Sequence, residues 1–136
     1  MEKKRIFIIE DDIILLRMLE RIFVANNFEV EKALEGADAL AKLYILDVMP
    51  AAILLDIMIP VLSGVEVLKL LKKSEKLKNV PIIILSNLAP SRESEDSILA
   101  LGAVAYLHKS QFSPEQVVKK VCKIIEVPLP ALPTIT

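Results

Sequence analysis

Short apolar runs alternate with stretches in which apolar residues recur at helical spacing. Lys4 to Ile9 carries Ile6-Phe7-Ile8-Ile9 in succession, and Ala51 to Leu55, Ile82 to Leu85 and Ala103 to Leu107 are similar. Such runs predict strands buried on both faces. Phe28 to Ala33 differs, because Phe28 and Val30 alternate with Glu29 and Glu31; that pattern predicts a half-exposed edge strand. Between the runs, five groups keep helical period: Ile13, Leu16, Leu19, Ile22 and Phe23; then Ala39, Leu40, Leu43 and Leu46. Val67, Leu68, Leu70 and Leu71 form the third, Ile98, Leu99 and Leu101 the fourth, and Val117, Val118, Val121, Cys122 and Ile125 the fifth.

The boundaries carry their own signals. Asp12 can cap the first helix and Asn26-Asn27 break it, while the second runs from Gly36 to about Leu46. Ser63 with Glu66, and Ser113-Pro114 with Gln116, have the reciprocal capping pattern. Pro81 fits only near a strand's start, and Ser91 and Gly102 bracket the fourth helix. Strand and helix therefore alternate five times, which predicts an α/β fold: a doubly wound parallel sheet with helices on both faces. Residues 1–126 form one domain in this reading. Residues 127–136, with Pro128, Pro130 and Pro133, are a proline-rich tail or the start of a linker.

Composition narrows the function classes. A chain of 136 residues, 54% hydrophobic and 26% charged, is globular and not disordered. No apolar run reaches the length of a membrane span, and Ile6 to Ile9 is too short for an export signal. The single cysteine, Cys122, rules out an internal disulfide and a thiolate metal cluster; a cytoplasmic location is the simplest account. Net charge is −1, and Lys69, Lys72, Lys73, Lys76 and Lys78 are interleaved with Glu66 and Glu75. That is a solvated helix face, so neither nucleic acid nor membrane is expected as a direct partner.

The candidate chemistry lies after the strands. Glu10-Asp11-Asp12 follow the first, Asp56 the third, Ser86 the fourth and Lys109 the fifth. In a parallel sheet these ends share one rim. Carboxylates gathered there repel one another and raise a pKa unless a cation intervenes, and a hard ion such as Mg2+ suits few carboxylates plus phosphate oxygens. With a hydroxyl at Ser86 and an ammonium at Lys109, the set suits a developing phosphoryl group, and Asp56 can itself be the acceptor.

Several of these segments, in this order and spacing, resemble the receiver domain of bacterial two-component response regulators, over roughly Arg5 to Glu126. They are Ile8-Ile9-Glu10-Asp11-Asp12, Leu54-Leu55-Asp56-Ile57-Met58-Ile59-Pro60, Ser63-Gly64, Ile84-Leu85-Ser86 and Gly102-Ala103…Tyr106-Leu107-His108-Lys109. The resemblance implies a flavodoxin-like sheet of order 2-1-3-4-5. It implies that Asp56 takes a phosphoryl group from the phosphohistidine of a sensor histidine kinase or histidine phosphotransfer protein. Glu10, Asp11, Asp56 and the Met58 carbonyl would then hold Mg2+, with Ser86 and Lys109 meeting the phosphoryl oxygens. Ser86 and Tyr106 would form the switch, and Met58, Asn87 and Leu88 would flank phosphoryl access. The output would be a downstream protein or an output domain outside this chain, with a homodimer through the fourth helix, fifth strand and fifth helix. The receiver takes part in its own phosphorylation and dephosphorylation without being an ordinary turnover enzyme.

Three positions depart from the family pattern. Ser110 stands where a proline after a cis bond is usual; a cis bond before a non-proline costs about 2.5–4 kcal/mol, which leaves open a trans bond with Lys109 placed differently. Asn87 replaces a small residue beside the hydroxyl position, and Ser63 replaces an aspartate while keeping its capping role. The first two give the alternative reading its support: a degenerate receiver acting as a phosphorylation-independent binding module. A haloacid-dehalogenase-type phosphatase would need an aspartate where Met58 stands, and a dinucleotide binder a glycine-rich first loop. Cys122 reads as a core thiol, His108 as an exposed strand end, and Pro130-Ala131-Leu132-Pro133 as chance within the tail.

Overall fold

Side-chain parity along each strand decides how the layers assemble. In β1 (Lys4–Ile9), Phe7 and Ile9 face one way while Ile6 and Ile8 face the other, and all four are buried. The same division recurs in β3 (Ala52–Leu55) and β4 (Ile82–Ser86), so both faces of the sheet need a cover of helices. The computed structural model describes residues 3–87 and 92–125, with the backbone alone at 92–94. The tail and Leu88 lie outside the described residues.

Five parallel strands, including β2 (Phe28–Ala33) and β5 (Ala105–His108), are ordered β2-β1-β3-β4-β5. The expected flavodoxin-like order is thus observed, with β2 at an edge as its alternation predicts. Helices α1 (Ile13–Ala25) and α5 (Pro114–Ile124) pack on one face through Leu16, Leu19, Phe23, Val118 and Val121. Helices α2 (Gly36–Tyr44), α3 (Gly64–Lys73) and α4 (Arg92–Ala100) cover the other, through residues such as Leu43, Leu68 and Ile98. Each fully buried aliphatic or aromatic side chain contributes on the order of 1.5–3 kcal/mol, which is what holds the strand ends in place.

The caps are where the spacing put them. Asp12 accepts from the Ile14 and Leu15 amides, and both capping boxes, Ser63 with Glu66 and Ser113 with Gln116, are formed in each direction. Two expected core residues are corrected. Ile13 is 48% exposed because it begins α1 at the open rim, and Leu70 is 39% exposed. At about 100° per residue, Leu70 falls outside the arc shared by Val67, Leu68 and Leu71. The second helix also stops at Tyr44, two residues before Leu46.

Candidate functional site

Ladder hydrogen bonds carry the acidic residues to the rim. The Glu10 amide donates to Ala33 O at 3.0 Å, continuing the β1–β2 ladder, and the Asp56 amide donates to Ile9 O at 3.0 Å, continuing β1–β3. Neighbouring strands thus end in carboxylates that are nearly inaccessible: Glu10 is 2% exposed and Asp56 4%. Asp11 beside them is exposed. One carboxylate oxygen from each of the three lies within 4.8 Å of the others.

The loop after Asp56 is held by a close backbone approach. The Gly64 amide donates to Ile57 O at 2.9 Å, and a Cβ on Gly64 would stand 2.3 Å from the Asp56 carbonyl oxygen and 2.6 Å from Ile57 Cα. Only glycine lets α3 start against that loop. Within it, the Met58 amide donates to Asp56 Oδ1 at 3.0 Å while the Met58 side chain is exposed.

Lys109 completes the electrostatics. Its Nζ donates to Asp56 Oδ2 at 2.8 Å and lies 2.7 Å from Glu10 Oε1, one ammonium shared by two buried carboxylates. Glu10 Oε2 accepts from the Asp12 amide at 3.0 Å. Among the described residues no peptide bond is cis, so Lys109–Ser110 is trans. A short 3₁₀ turn over Lys109–Gln111 brings Lys109 to the carboxylates across the trans bond. Burial pushes the Glu10 carboxyl up to about 7, against the lowering pull of Lys109 and the Asp12 amide and with a further upward push from Asp56. Burial alone draws the Lys109 ammonium down, but its bonds to Asp56 and Glu10 outweigh this and leave it above the ordinary lysine value.

These residues fit a hard divalent cation. Three carboxylates with one ammonium are undercompensated, their oxygens are close enough to share one ion, and a buried carboxyl already resists ionisation.

The other expected residues fall on both sides of this centre. Ser86 ends β4 fully buried, and its hydroxyl is hydrogen-bonded to that of Tyr106, whose ring is buried with 9% exposure. Burial pushes the Tyr106 hydroxyl up, and the charges of Glu95 and Asp56 add to that. Asn87 is exposed. On the α1 side it joins Asp12, Ile14, Met18, Lys109 and Phe112 around an open cavity of about 390 Å³. One feature escaped the sequence reading. His108 is half-buried, with Nε2 3.1 Å from Glu95 Oε2 and its ring 4.9 Å from that of Tyr106. Residues 106 and 108 share a face of β5, a parity that would have placed this histidine against α4 had it been used.

Comparisons with known proteins identify the family and the fold. Residues 6–122 match the family described as "Response regulator receiver domain". The transcriptional regulatory protein PrrA of Mycobacterium leprae is 38% identical over 108 residues, covering 77% of this chain and 43% of that protein; the chain spans less than half of that relative's length. The chemotaxis response regulator CheY4 of Vibrio cholerae superposes with a TM-score of 0.81 at 28% identity, over 90% of this chain and 98% of its own. At 24% identity, the receiver domain of sensor histidine kinase PA1611 from Pseudomonas aeruginosa PAO1 has the same fold, with a TM-score of 0.78 over 91% and 98% of the two chains. That protein has a magnesium ion coordinated in its active-site cleft.

Proposed function

Because the chain belongs to the response regulator receiver domain family, we propose that it is a phosphoacceptor switch, with Asp56 as the group modified. The observation that carries this reading is the shared contact of Lys109 with Asp56 and Glu10, inside a cluster that Asp11 completes. An Asp56 oxygen attacks phosphorus in the phosphohistidine of a histidine kinase or phosphotransfer protein. The P–N bond breaks, an acyl–O–P bond forms, and the imidazole nitrogen leaves with a proton from water. Glu10, Asp11, Asp56 and the Met58 carbonyl would hold Mg2+, which when bound neutralises charge on the transferring oxygens.

The chain's own groups do the rest. Lys109, already bonded to Asp56, is placed to pair with the new phosphoryl oxygens, and the Met58 amide keeps the carboxylate oriented. Ser86 is hydrogen-bonded to Tyr106 and carries a hydroxyl that can donate to a phosphoryl oxygen. Met58 and Asn87 are the exposed side chains beside the entry path. Modification shifts a conformational equilibrium read by a downstream protein, an output domain or a second copy through α4, β5 and α5.

The alternative, a phosphorylation-independent module, drew on Ser110 and Asn87. Lys109 meets both carboxylates across the trans bond to Ser110, which leaves Asn87 as its one support. Incubation with acetyl phosphate and Mg2+ tests the choice. A gain in mass of one phosphoryl group, mapped to the peptide bearing Asp56 and missing in Asp56→Asn, is expected; no gain with any small phosphodonor favours the binding module.

A further inference from the structure

Among the described side chains of helix α4, Ile98 and the partly buried Leu99 pack on the core. Of its described side chains, 95 to 100, only Ile98 is fully buried. A polar attachment joins these: Glu95 Oε2 meets His108 Nε2 at 3.1 Å, with the two side chains 29% and 25% exposed. His108 is on the end of β5, opposite Ser86 in the β4–β5 register, and Ile84 is opposite Tyr106. Side-chain parity puts Ile84, Ser86, Tyr106 and His108 on one face of the sheet, the face that α4 covers. A chain of contacts results: Glu95 to His108, His108 to the Tyr106 ring at 4.9 Å, and the Tyr106 hydroxyl to Ser86.

We infer that Glu95 and His108 are positioning residues for the Ser86–Tyr106 pair, a latch between α4 and β5 that keeps the phenol turned inward. The hydrogen bond forms whether the imidazole is neutral or charged, because Nε2–H can donate to the carboxylate in both states. Without His108, Glu95 is a half-buried carboxylate facing a phenol and moves toward water, taking α4 off the ring. Without Glu95, the imidazole loses the partner that orients it across Tyr106. Either loss frees Tyr106 to turn outward, and Ser86 then loses the hydrogen bond that holds its hydroxyl in place. The effect on Asp56 chemistry rests on the function proposed above; the orientation of Tyr106 does not.

The sequence supplies a clean probe, since it has no tryptophan and only two tyrosines. In the full chain carrying Tyr44→Phe, 3-fluorotyrosine labels Tyr106 alone, and the difference in its ¹⁹F shift between H2O and D2O reports solvent access. The expected result is a small difference in the parent and in Glu95→Gln, which keeps the hydrogen bond. It should at least double in Glu95→Ala and in His108→Ala, and be no larger in the double variant, because the two act as one contact. Parent-like values in both alanine variants, or effects that add in the double variant, overturn the latch. Acetyl phosphate should modify the two alanine variants at least threefold more slowly than the parent. A parent chain unmodified by any phosphodonor would count against the proposed function, while the fluorine measurement would still decide the latch.

Discussion

Glu10 makes the acidic cluster sensitive to pH before any ligand is considered. Its carboxyl has an ordinary value of 4.5 and is pushed by burial to about 7, so the native chain keeps a proton that the unfolded chain gives up. Unfolding therefore releases a proton across that window, and stability falls as pH rises from about 4.5 to 7. A tenfold change in proton affinity is worth about 1.4 kcal/mol, so the loss is up to ~3 kcal/mol. Urea unfolding in EDTA at several pH values should show this slope in the parent chain and its absence in Glu10→Gln. A slope unchanged in Glu10→Gln would move its source elsewhere. The sequence placed Glu10, Asp11, Asp56, Ser86 and Lys109 correctly at strand ends because apolar runs are easy to read. That Lys109 would bond Glu10 as well as approach Asp56 was not legible, because it depends on a 3₁₀ turn with no marker residue. Parity on β5 was enough to turn His108 toward the α4 side, but its pairing with Glu95 depends on how the helix seats on the strand.

Among the elements, the loop between β3 and α3 is the most constrained. Its backbone must turn sharply enough to bring Gly64 against the Asp56 carbonyl, and Gly64→Ala puts a methyl carbon where backbone atoms cannot yield. We expect that variant to lose about 1–3 kcal/mol of stability and the cation affinity with it, measured by urea unfolding and Mg2+ titration. Native stability together with native affinity would contradict this account of the loop. Val61 in the same loop has φ +67°, and the Leu62 amide bonds Pro60 O at 2.8 Å, a γ-turn centred on a 92% exposed β-branched residue. The left-handed conformation costs a side-chain-bearing residue about 1–2 kcal/mol, and glycine's extra freedom when unfolded returns about 0.5–1 of it. Val61→Gly should therefore raise stability by roughly 0.5–1 kcal/mol; a loss would show that the valine makes a contact that offsets its strain. Motif spacing located this loop, Ser63-Gly64 included, but spacing carries no information on φ at Val61. Helical period likewise identified α1 and α3 while overstating their buried faces at Ile13 and Leu70.

At the scale of the whole molecule, the sheet works as a frame with one chemically active rim. Its order places β1 and β3 side by side at the centre, so the acidic ends meet where β2 and β4 diverge to opposite sides. Lys109 approaches from β5 and Ser86 from β4, so the same rim connects to α4 through Tyr106 and His108. The five alternations of strand and helix were enough to predict a parallel sheet covered on both faces, because strands buried on both faces have few other ways to be covered; the strand order came from the family resemblance. No helix among the described residues is long and apolar enough to cross a membrane. The account depends on carboxylates from neighbouring strands acting as one site for a divalent ion beside the modified aspartate. The most direct test is the initial rate of Asp56 phosphorylation by acetyl phosphate, followed by intact mass as Mg2+ is titrated into metal-free protein. The account predicts no phosphoform in EDTA and a rate that saturates with Mg2+, with Asp11→Asn shifting the saturation to much higher Mg2+. A rate independent of Mg2+, or a parent-like titration in Asp11→Asn, would contradict it.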